Sequence, residues 1–334
     1  MHENTKAAGF KTSRTGIFIV KYGIYFIFFV MCIMFSFSNK NFLTVSNFVL
    51  LLQQSAPLML GVTGMAFVMM DGGIDISAGS NMYLSASVCG LLIIQLDAQG
   101  VVINNAGIYL LIFLVGAAVG AAVGSINGLL IAKAKMVPFI VTLIMTSIAR
   151  GIGMFITKAD LITINNLGFK LADKSFLGIS ILIYMAAAIM LVLHFVLRYT
   201  RYGIQLKAQG NNHEAAQKTG FNTTRNTFFA YIICGALAGL AGIMSAGSSG
   251  SVATSFAIGT EFIIIPAAVL GGISLFGGKG SILPGAVIGM MLVNTIVNGL
   301  TMMNANPYIY TIVSGIIIFI AVMVDSMNFK GEFR

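Results

Sequence analysis

Apolar residues run along this chain in blocks of about 20 with almost no polar face, separated by short polar or glycine-rich segments. The blocks fall near 17–38, 45–70, 76–96, 107–132, 137–157, 177–197, 228–247, 260–275, 282–303 and 308–325. A helix needs about 20 residues to cross a bilayer, so each block reads as a span, the second long and the eighth short. This predicts an all-α integral membrane protein, a polytopic bundle of about ten transmembrane helices with two of them broken. Eight or nine full crossings with re-entrant pieces are the alternative, because two glycine-rich breaks fall close to membrane depth. The first block follows Lys6, Lys11 and Arg14 and resembles a signal peptide at first sight. It is longer than the roughly 7–15 residue core of such a peptide and lacks a small-residue cleavage site, so it reads as a retained span.

Composition agrees with the pattern. Hydrophobic residues make up 57% of the 334 residues and charged residues 9%, with a mean hydropathy of +0.94. Soluble domains carry about 25% charged residues, which excludes an ordinary soluble domain. The net charge of +9 would suggest nucleic acid in a soluble protein. Here its distribution explains it without a nucleic acid partner. With the N-terminus inside, Lys6, Lys11, Arg14, Lys21, Lys133, Lys135, Arg198, Arg201, Lys207, Lys218, Arg225, Lys279, Lys330 and Arg334 fall on the cytoplasmic side, fourteen of the 19 basic residues. Outside loops hold Lys40, Lys158, Lys170 and Lys174, and Arg150 lies within a span. The positive-inside rule therefore selects N-in, C-in. The expected organisation is a cytoplasmic segment 1–16, one transmembrane domain 17–325 with a cytoplasmic loop at 198–227, and a cytoplasmic tail 326–334.

Glycines carry the packing signal. Gly116, Gly120, Gly124 and Gly128 repeat every four residues and bare one helix face, as do Gly235 with Gly239 and Gly285 with Gly289. Such stripes let helix backbones approach closely in lipid, and packing within the chain is the favoured reading over a dimer seam. MMDGGIDISAGS (69–80) and VLGGISLFGGKGS (269–281) interrupt the apolar pattern in a related way, each with Gly-Gly-Ile and a later Gly-Ser. Freed backbone groups are tolerated at membrane depth only where protein or a water-filled cavity satisfies them, and paired breaks in transporters mark the solute path. The GGKGS at 277–281 fails as a phosphate-binding loop, because Ile273 stands where the first glycine belongs and Gly280 where Ser or Thr belongs. Cys32, Cys89 and Cys234 sit in apolar runs without ligand spacing, and no metal site is expected.

Ionisable residues within spans are few: Asp71, Asp75, Arg150, His194 and Glu261. A charge at bilayer centre costs at least about 2.5–3.5 kcal/mol, so each is a functional candidate. Asp75 and Glu261 are the leading ones. His194 sits near the boundary, Arg150 is placed to snorkel or pair with a carboxylate, and Asn127 and Asn294 also suit bonding between helices. The candidates for a translocation path are Asp71, Gly72, Gly73, Asp75, Ser77, Asn127, Glu261, Gly271, Gly272 and Ser274. No catalytic constellation is present, which argues against an enzyme. The sparse acids argue against an ion-coupled carrier, although a passive channel or such a carrier is the alternative function.

One strongly polar stretch remains, GIQLKAQGNNHEAAQKTGFNTTR at 203–225. Asn211 or Asn212 can cap a short helix through HEAAQKT, Glu214 suits its N-terminus and Gly220 can end it. Together with APLMLGVTGMAFVMMDGGIDISAGS (56–80), AAVLGGISLFGGKGSILPGAVIG (267–289) and NPYIYTIVSGIIIFIAVMVDS (306–326), this stretch resembles the permease subunits of bacterial ABC sugar importers, the ribose, galactose, arabinose and xylose class. The resemblance implies a fold like that of vitamin B12 and ribose importers and a place in the bacterial inner membrane. It implies a second permease, copy or paralogue, a periplasmic solute-binding protein and a separate ATP-binding subunit that holds ATP and magnesium, with no cofactor in this chain. Residues Gly210, Asn211, Asn212, Glu214, Ala215, Ala216 and Gly220 would form the ATPase-coupling loop. One stretch departs from the sugar pattern: EFIIIPAA (261–268) has Ile263 where sugar members carry Asp, and adds Pro266. Relatives in this family also move autoinducer-2, nucleosides and other polar solutes.

Overall fold

The computed structural model describes residues 14–164, 169, 171 and 174–306, with scattered helical positions from 309 to 323, and side chains from residue 25 onward. Residues 1–13 of the expected segment 1–16, the expected tail 326–334, Lys170 and most of the tenth block lie outside the described residues. Chain order is α1 (Arg14–Ser38), α2 (Val45–Met70), α3 (Ala78–Ala98), α4 (Ala106–Ala132), α5 (Pro138–Thr157), α6 (Ile181–Tyr199), α7 (Arg201–Asn211), α8 (His213–Lys218), α9 (Thr223–Ser249), α10 (Glu261–Leu270) and α11 (Val287–Met302). In the described part of the chain four two-residue strands form two small ribbons: β1 (Ile162–Thr163) pairs with β4 (Ser251–Val252), and β2 (Ser175–Phe176) with β3 (Ile179–Ser180). Among the described residues seven helices are long and apolar enough to cross a membrane, and Tyr25–Ser38 and Glu261–Leu270 are shorter apolar helices.

Helix starts follow local chemistry. Thr44, Asn105, Ser180 and Asn222 each accept a backbone N–H of the first turn, and Pro138 opens α5. The glycine stripe of α4 is consumed within the chain. A Cβ on Gly120 would fall 2.2 Å from the Gly235 carbonyl oxygen, and one on Gly124 2.2 Å from that of Tyr231. Gly239 meets the Gly116 carbonyl equally closely, so α4 and α9 pack backbone to backbone in opposite directions. The Gly285/Gly289 pair does the same for α11, against Gly271 and Ala267 beside α10.

These contacts fix the two ends of the bundle. At one end the Gly278 N–H donates to the Met70 carbonyl (2.9 Å) and Thr142 Oγ1 to that of Ile74 (3.5 Å), joining 70–74, 276–281 and the start of α5. Lys133, Lys135, Arg198, Arg201, Lys207, Lys218, Arg225 and Lys279 belong to the segments at this end. At the other end Lys174 Nζ donates to Asn104 (2.7 Å), Ile164 N–H to Gly250 (2.9 Å) and Asn39 Nδ2 to Met302 (2.9 Å). Lys40, Lys158 and Lys174 lie there, so the charge segregation read from the sequence is also a spatial one.

Mid-depth is marked by Asn81, whose Nδ2 lies 3.2 Å from the carbonyls of both Gly120 and Gly235, the centres of α4 and α9. The first turn of α3 therefore lies deep in the bundle. A Cβ on neighbouring Gly79 would meet the Ala257 carbonyl at 2.6 Å and also the Glu261 carboxylate. The eighth block is thus a half-length helix: the chain descends from β4 through 253–260 to mid-depth, and only then does α10 begin. The expected span 260–275 is corrected to the ten-residue helix Glu261–Leu270, which irregular backbone precedes and the glycine break after Leu270 ends.

Candidate functional site

The polar stretch at 203–225 is a pair of helices, not a loop. Thr200 caps α7, which buries Gly203, Leu206 and Gln209. Asn212, in extended conformation, ends α7 and caps α8 by accepting the Ala215 N–H at 2.9 Å. Gly220 (φ 86°) closes α8, with Gly220 N–H to Gln217 (2.9 Å) and Phe221 N–H to Ala216 (3.1 Å). Glu214 stands in the first turn and Lys218 in the last, each matched to the helix dipole. Ala216 is buried, whereas Asn211, Asn212, Glu214, Ala215 and Gly220 are exposed. The result is a short, doubly capped helix standing proud of the basic end.

Its root is tied to both breaks. A Cβ on Gly210 would fall 1.9 Å from the Met70 carbonyl oxygen and 2.6 Å from the Gly278 nitrogen. A Cβ on Gly277 would fall 2.6 Å from the Gly210 oxygen, and one on Gly278 1.8 Å from Asn211 Oδ1. Beside this contact Gln209 Nε2 donates to Asp71 Oδ1 and to Thr227 Oγ1 (2.9 Å), while Thr227 Oγ1 donates to Asp71 Oδ2 (2.7 Å). Asn226 Nδ2 completes the cluster on Gln209 Oε1 (3.2 Å). One residue pair, Gln209 and Gly210, therefore links the exposed helix to the end of α2, to the second break and to the start of α9. Burial first, and then the neighbouring Asp71, raises the pKa of the Tyr202 hydroxyl on α7. Burial and then Arg198 lower that of Lys207.

The two breaks share a backbone device. After α2, Gly72 (φ 90°) donates to Met69 (2.9 Å) and Gly73 to Val68 (3.0 Å). After α10, Gly272 (φ 83°) donates to Val269 (2.8 Å) and Ile273 to Ala268 (3.0 Å). Both are left-handed glycine caps of one pattern. The structural correspondence pairs Gly72 with Gly272, one residue out of step with the Gly-Gly-Ile text match, because the repeated feature is the positive φ and not the letters. Gly271 touches Gly285, and the Ser274 hydroxyl accepts the Phe276 N–H at 3.2 Å.

The remaining candidates divide into separate clusters. Asp75, 1% exposed, accepts the Ser77 N–H (2.9 Å) and Oγ (2.6 Å), and Asn127 Nδ2 donates to Ser77 Oγ (2.9 Å). Gly73 lies against the Tyr231 hydroxyl, which donates to the Ile74 carbonyl (3.4 Å). This is a closed knot joining the break to α4 and α9. Glu261 lies elsewhere, beside Gly79 and within electrostatic reach of Arg150. Arg150 does not snorkel: its guanidinium donates to the carbonyls of Thr254 (2.9 Å) and Phe256 (3.2 Å) and lies 4.9 Å from the Tyr83 ring centroid. His194 accepts the Leu283 N–H (3.3 Å), and Asn294 donates to Ser55 (2.6 Å), both joining helix to helix. Gln209, Thr227 and Gly278 were not legible as site residues. The three-residue spacing of Gly203, Leu206 and Gln209 was the available sign of a docked helix.

The sequence from 47 to 322 matches the family described as branched-chain amino acid transport system / permease component. The chain belongs to this permease family. It is 35% identical over 309 residues to the ribose import permease protein RbsC of Bacillus subtilis (strain 168), covering 91% of this chain and 92% of the relative. The D-allose transport system permease protein AlsC of Escherichia coli (strain K12) is 32% identical over 332 residues, 98% of each chain. The galactose/methyl galactoside import permease protein MglC of the same strain is 32% identical over 320 residues, 93% of this chain and 95% of the relative. No solved structure matches detectably. This permease is a multi-pass membrane transport subunit and not an enzyme.

Proposed function

We propose that the chain is the membrane permease subunit of an ABC importer of the bacterial inner membrane, forming the translocation path for a monosaccharide or a solute of similar polarity. The observation that carries this reading is the capped helix His213–Lys218, exposed at the basic end and rooted through Gln209 and Gly210 in both breaks. A transport path run by an external motor needs such a part, a rigid element outside the membrane whose displacement moves the spans as bodies. The relatives' printed substrates, ribose, D-allose and galactose, support a monosaccharide. On the positive-inside rule the basic end is cytoplasmic, which puts the residues 198–227 before an ATP-binding subunit that carries ATP and magnesium. A solute-binding protein then docks on the opposite end, and a second permease, copy or paralogue, completes the path. The proposed domain is 17–325, with the flanking 1–16 and 326–334 cytoplasmic. Its ten crossings count the seven long helices, the two shorter ones and the block 308–325, an arrangement of the vitamin B12 and ribose importer kind.

Glu214→Arg tests the reading, because it reverses charge on the exposed helix while touching no buried contact. Membrane levels are expected to stay normal while ATP-driven uptake of labelled D-ribose, D-allose and D-galactose, assayed with the partner subunits, is lost. Uptake at the parent's rate would overturn the coupling role, and uptake without any ATPase would favour a channel.

A further inference from the structure

We propose that the crevice between α6 and α9 holds one anionic phospholipid of the leaflet at the basic end, an acyl chain in the crevice and the phosphate on Arg198 and Arg225. This goes beyond the permease reading above and does not depend on the solute.

The crevice encloses about 400 Å³ and is lined by Ala188, Val192 and Leu193 of α6 and Ile233, Ala236 and Leu237 of α9. That volume falls within the roughly 300–1,000 Å³ of small-molecule pockets, and no lining residue is polar. Both helices pack on α2, and the small side chains of Ala188 and Ala236 leave the gap between them open.

Each wall leads to an arginine at the basic end. On α9, Arg225, Phe229, Ile233 and Leu237 follow at four-residue intervals and share one face. On α6, Ala188, Val192, Phe195 and Tyr199 do so at intervals of four, three and four. The Arg225 guanidinium lies 5.6 Å from the Phe229 ring centroid, and that of Arg198 5.5 Å from the Tyr199 ring centroid. Phe195, Arg198, Tyr199, Arg225 and Phe229 are all exposed. The depth fits one leaflet. At 1.5 Å per residue, Ile233 and Leu237 lie about 12 and 18 Å along α9 from Arg225, against about 15 Å for half the hydrocarbon core. A headgroup at the arginines therefore puts its chain in the crevice, with the Tyr199 ring at the boundary.

Charge selects the headgroup. Among the described residues neither arginine pairs with an acid or donates to a protein acceptor. Burial and then Arg198 lower the pKa of Lys207 on α7, so a third cation crowds the same mouth. A guanidinium fork takes a phosphate through two parallel N–H bonds. Lipid tails are as apolar as leucine and give no preference of their own, so the arginines set which lipid stays. A second copy of the chain on a two-fold axis along the membrane normal would bring these same cations face to face, which disfavours it as the occupant.

The chain has no tryptophan, so a single introduced one reports on its lipid neighbours. In the full chain reconstituted in phosphatidylcholine vesicles, Phe195→Trp, at the foot of the crevice, is titrated with phosphatidylglycerol or phosphatidylcholine brominated in mid-chain. Each cation favours an anionic lipid about five-fold, so half-maximal quenching by the phosphatidylglycerol is expected at a roughly 25-fold lower mole fraction. Arg198→Gln with Arg225→Gln is expected to erase that preference, and Arg198→Lys with Arg225→Lys to keep part of it. Leu114→Trp, on α4 and 59% exposed, is expected to be quenched equally by the two lipids. Equal quenching at Phe195→Trp would overturn the site, as would a preference that survives the loss of both arginines. No quenching by either lipid would overturn it too, since protein then fills the crevice.

Discussion

Gly210→Ala sets a methyl group 1.9 Å from the Met70 carbonyl oxygen and 2.6 Å from the Gly278 nitrogen. Both neighbours are main chain, so no side-chain rotation relieves the clash and α7 must move off the breaks. Overpacking of this kind costs about 1–3 kcal/mol. The Met70–Gly278 hydrogen bond, 2.9 Å long in the structure, lies across the same contact. Its loss adds about 0.5–1.5 kcal/mol. Alanine's better helix propensity returns about 0.5–1 kcal/mol. The net is roughly 0.5–4 kcal/mol against the docked state, a factor of about 2 to 900 in its population. The assay is solute moved per ATP hydrolysed in proteoliposomes, together with thermal stability in detergent. The ratio is expected to fall strongly, with a modest loss of stability. Gly315→Ala is the control, since no described residue comes within 4 Å of a Cβ there. A Gly210→Ala protein that matches the control in both readouts would refute a rigid joint.

Gly120→Val places its side chain against the Gly235 carbonyl at the tightest stretch of the α4–α9 contact; we expect little monodisperse protein after solubilisation, and a normal yield would show that the stripe is not holding these helices together. Asp75→Asn replaces a carboxylate acceptor in the knot with Ser77 and Asn127. It is expected to lower thermal stability while leaving uptake per folded molecule near the parent's, and selective loss of uptake would return Asp75 to the path.

Much of the bundle was legible because membrane helices announce themselves by length. The block 45–70 coincides with α2, and the four-residue glycine repeat of 116–128 already named the face of α4 that meets α9. Other features are invisible to hydropathy. The apolar block 260–275 starts almost where α10 does, but its hydropathy does not show that the helix stops at Leu270 or that irregular backbone leads into it. The polarity of 201–211 suggested a loop, because α7 docks through Gly203, Leu206 and Gln209 and not through a broad apolar stripe. Asp75 ranked above Asp71 as a cavity-facing acid. The fold separates them: Asp71 bonds to α7 and α9 at the basic end, and Asp75 is enclosed with Ser77 and Asn127.

The joint between α7 and the breaks is made largely of main chain, with glycines facing carbonyl and amide groups. A glycine there cannot be replaced by any other residue without setting a Cβ against main chain. The fit at this joint therefore leaves sequence drift almost no room, whereas the exposed helix pair 201–218 beside it can vary wherever its side chains face outward.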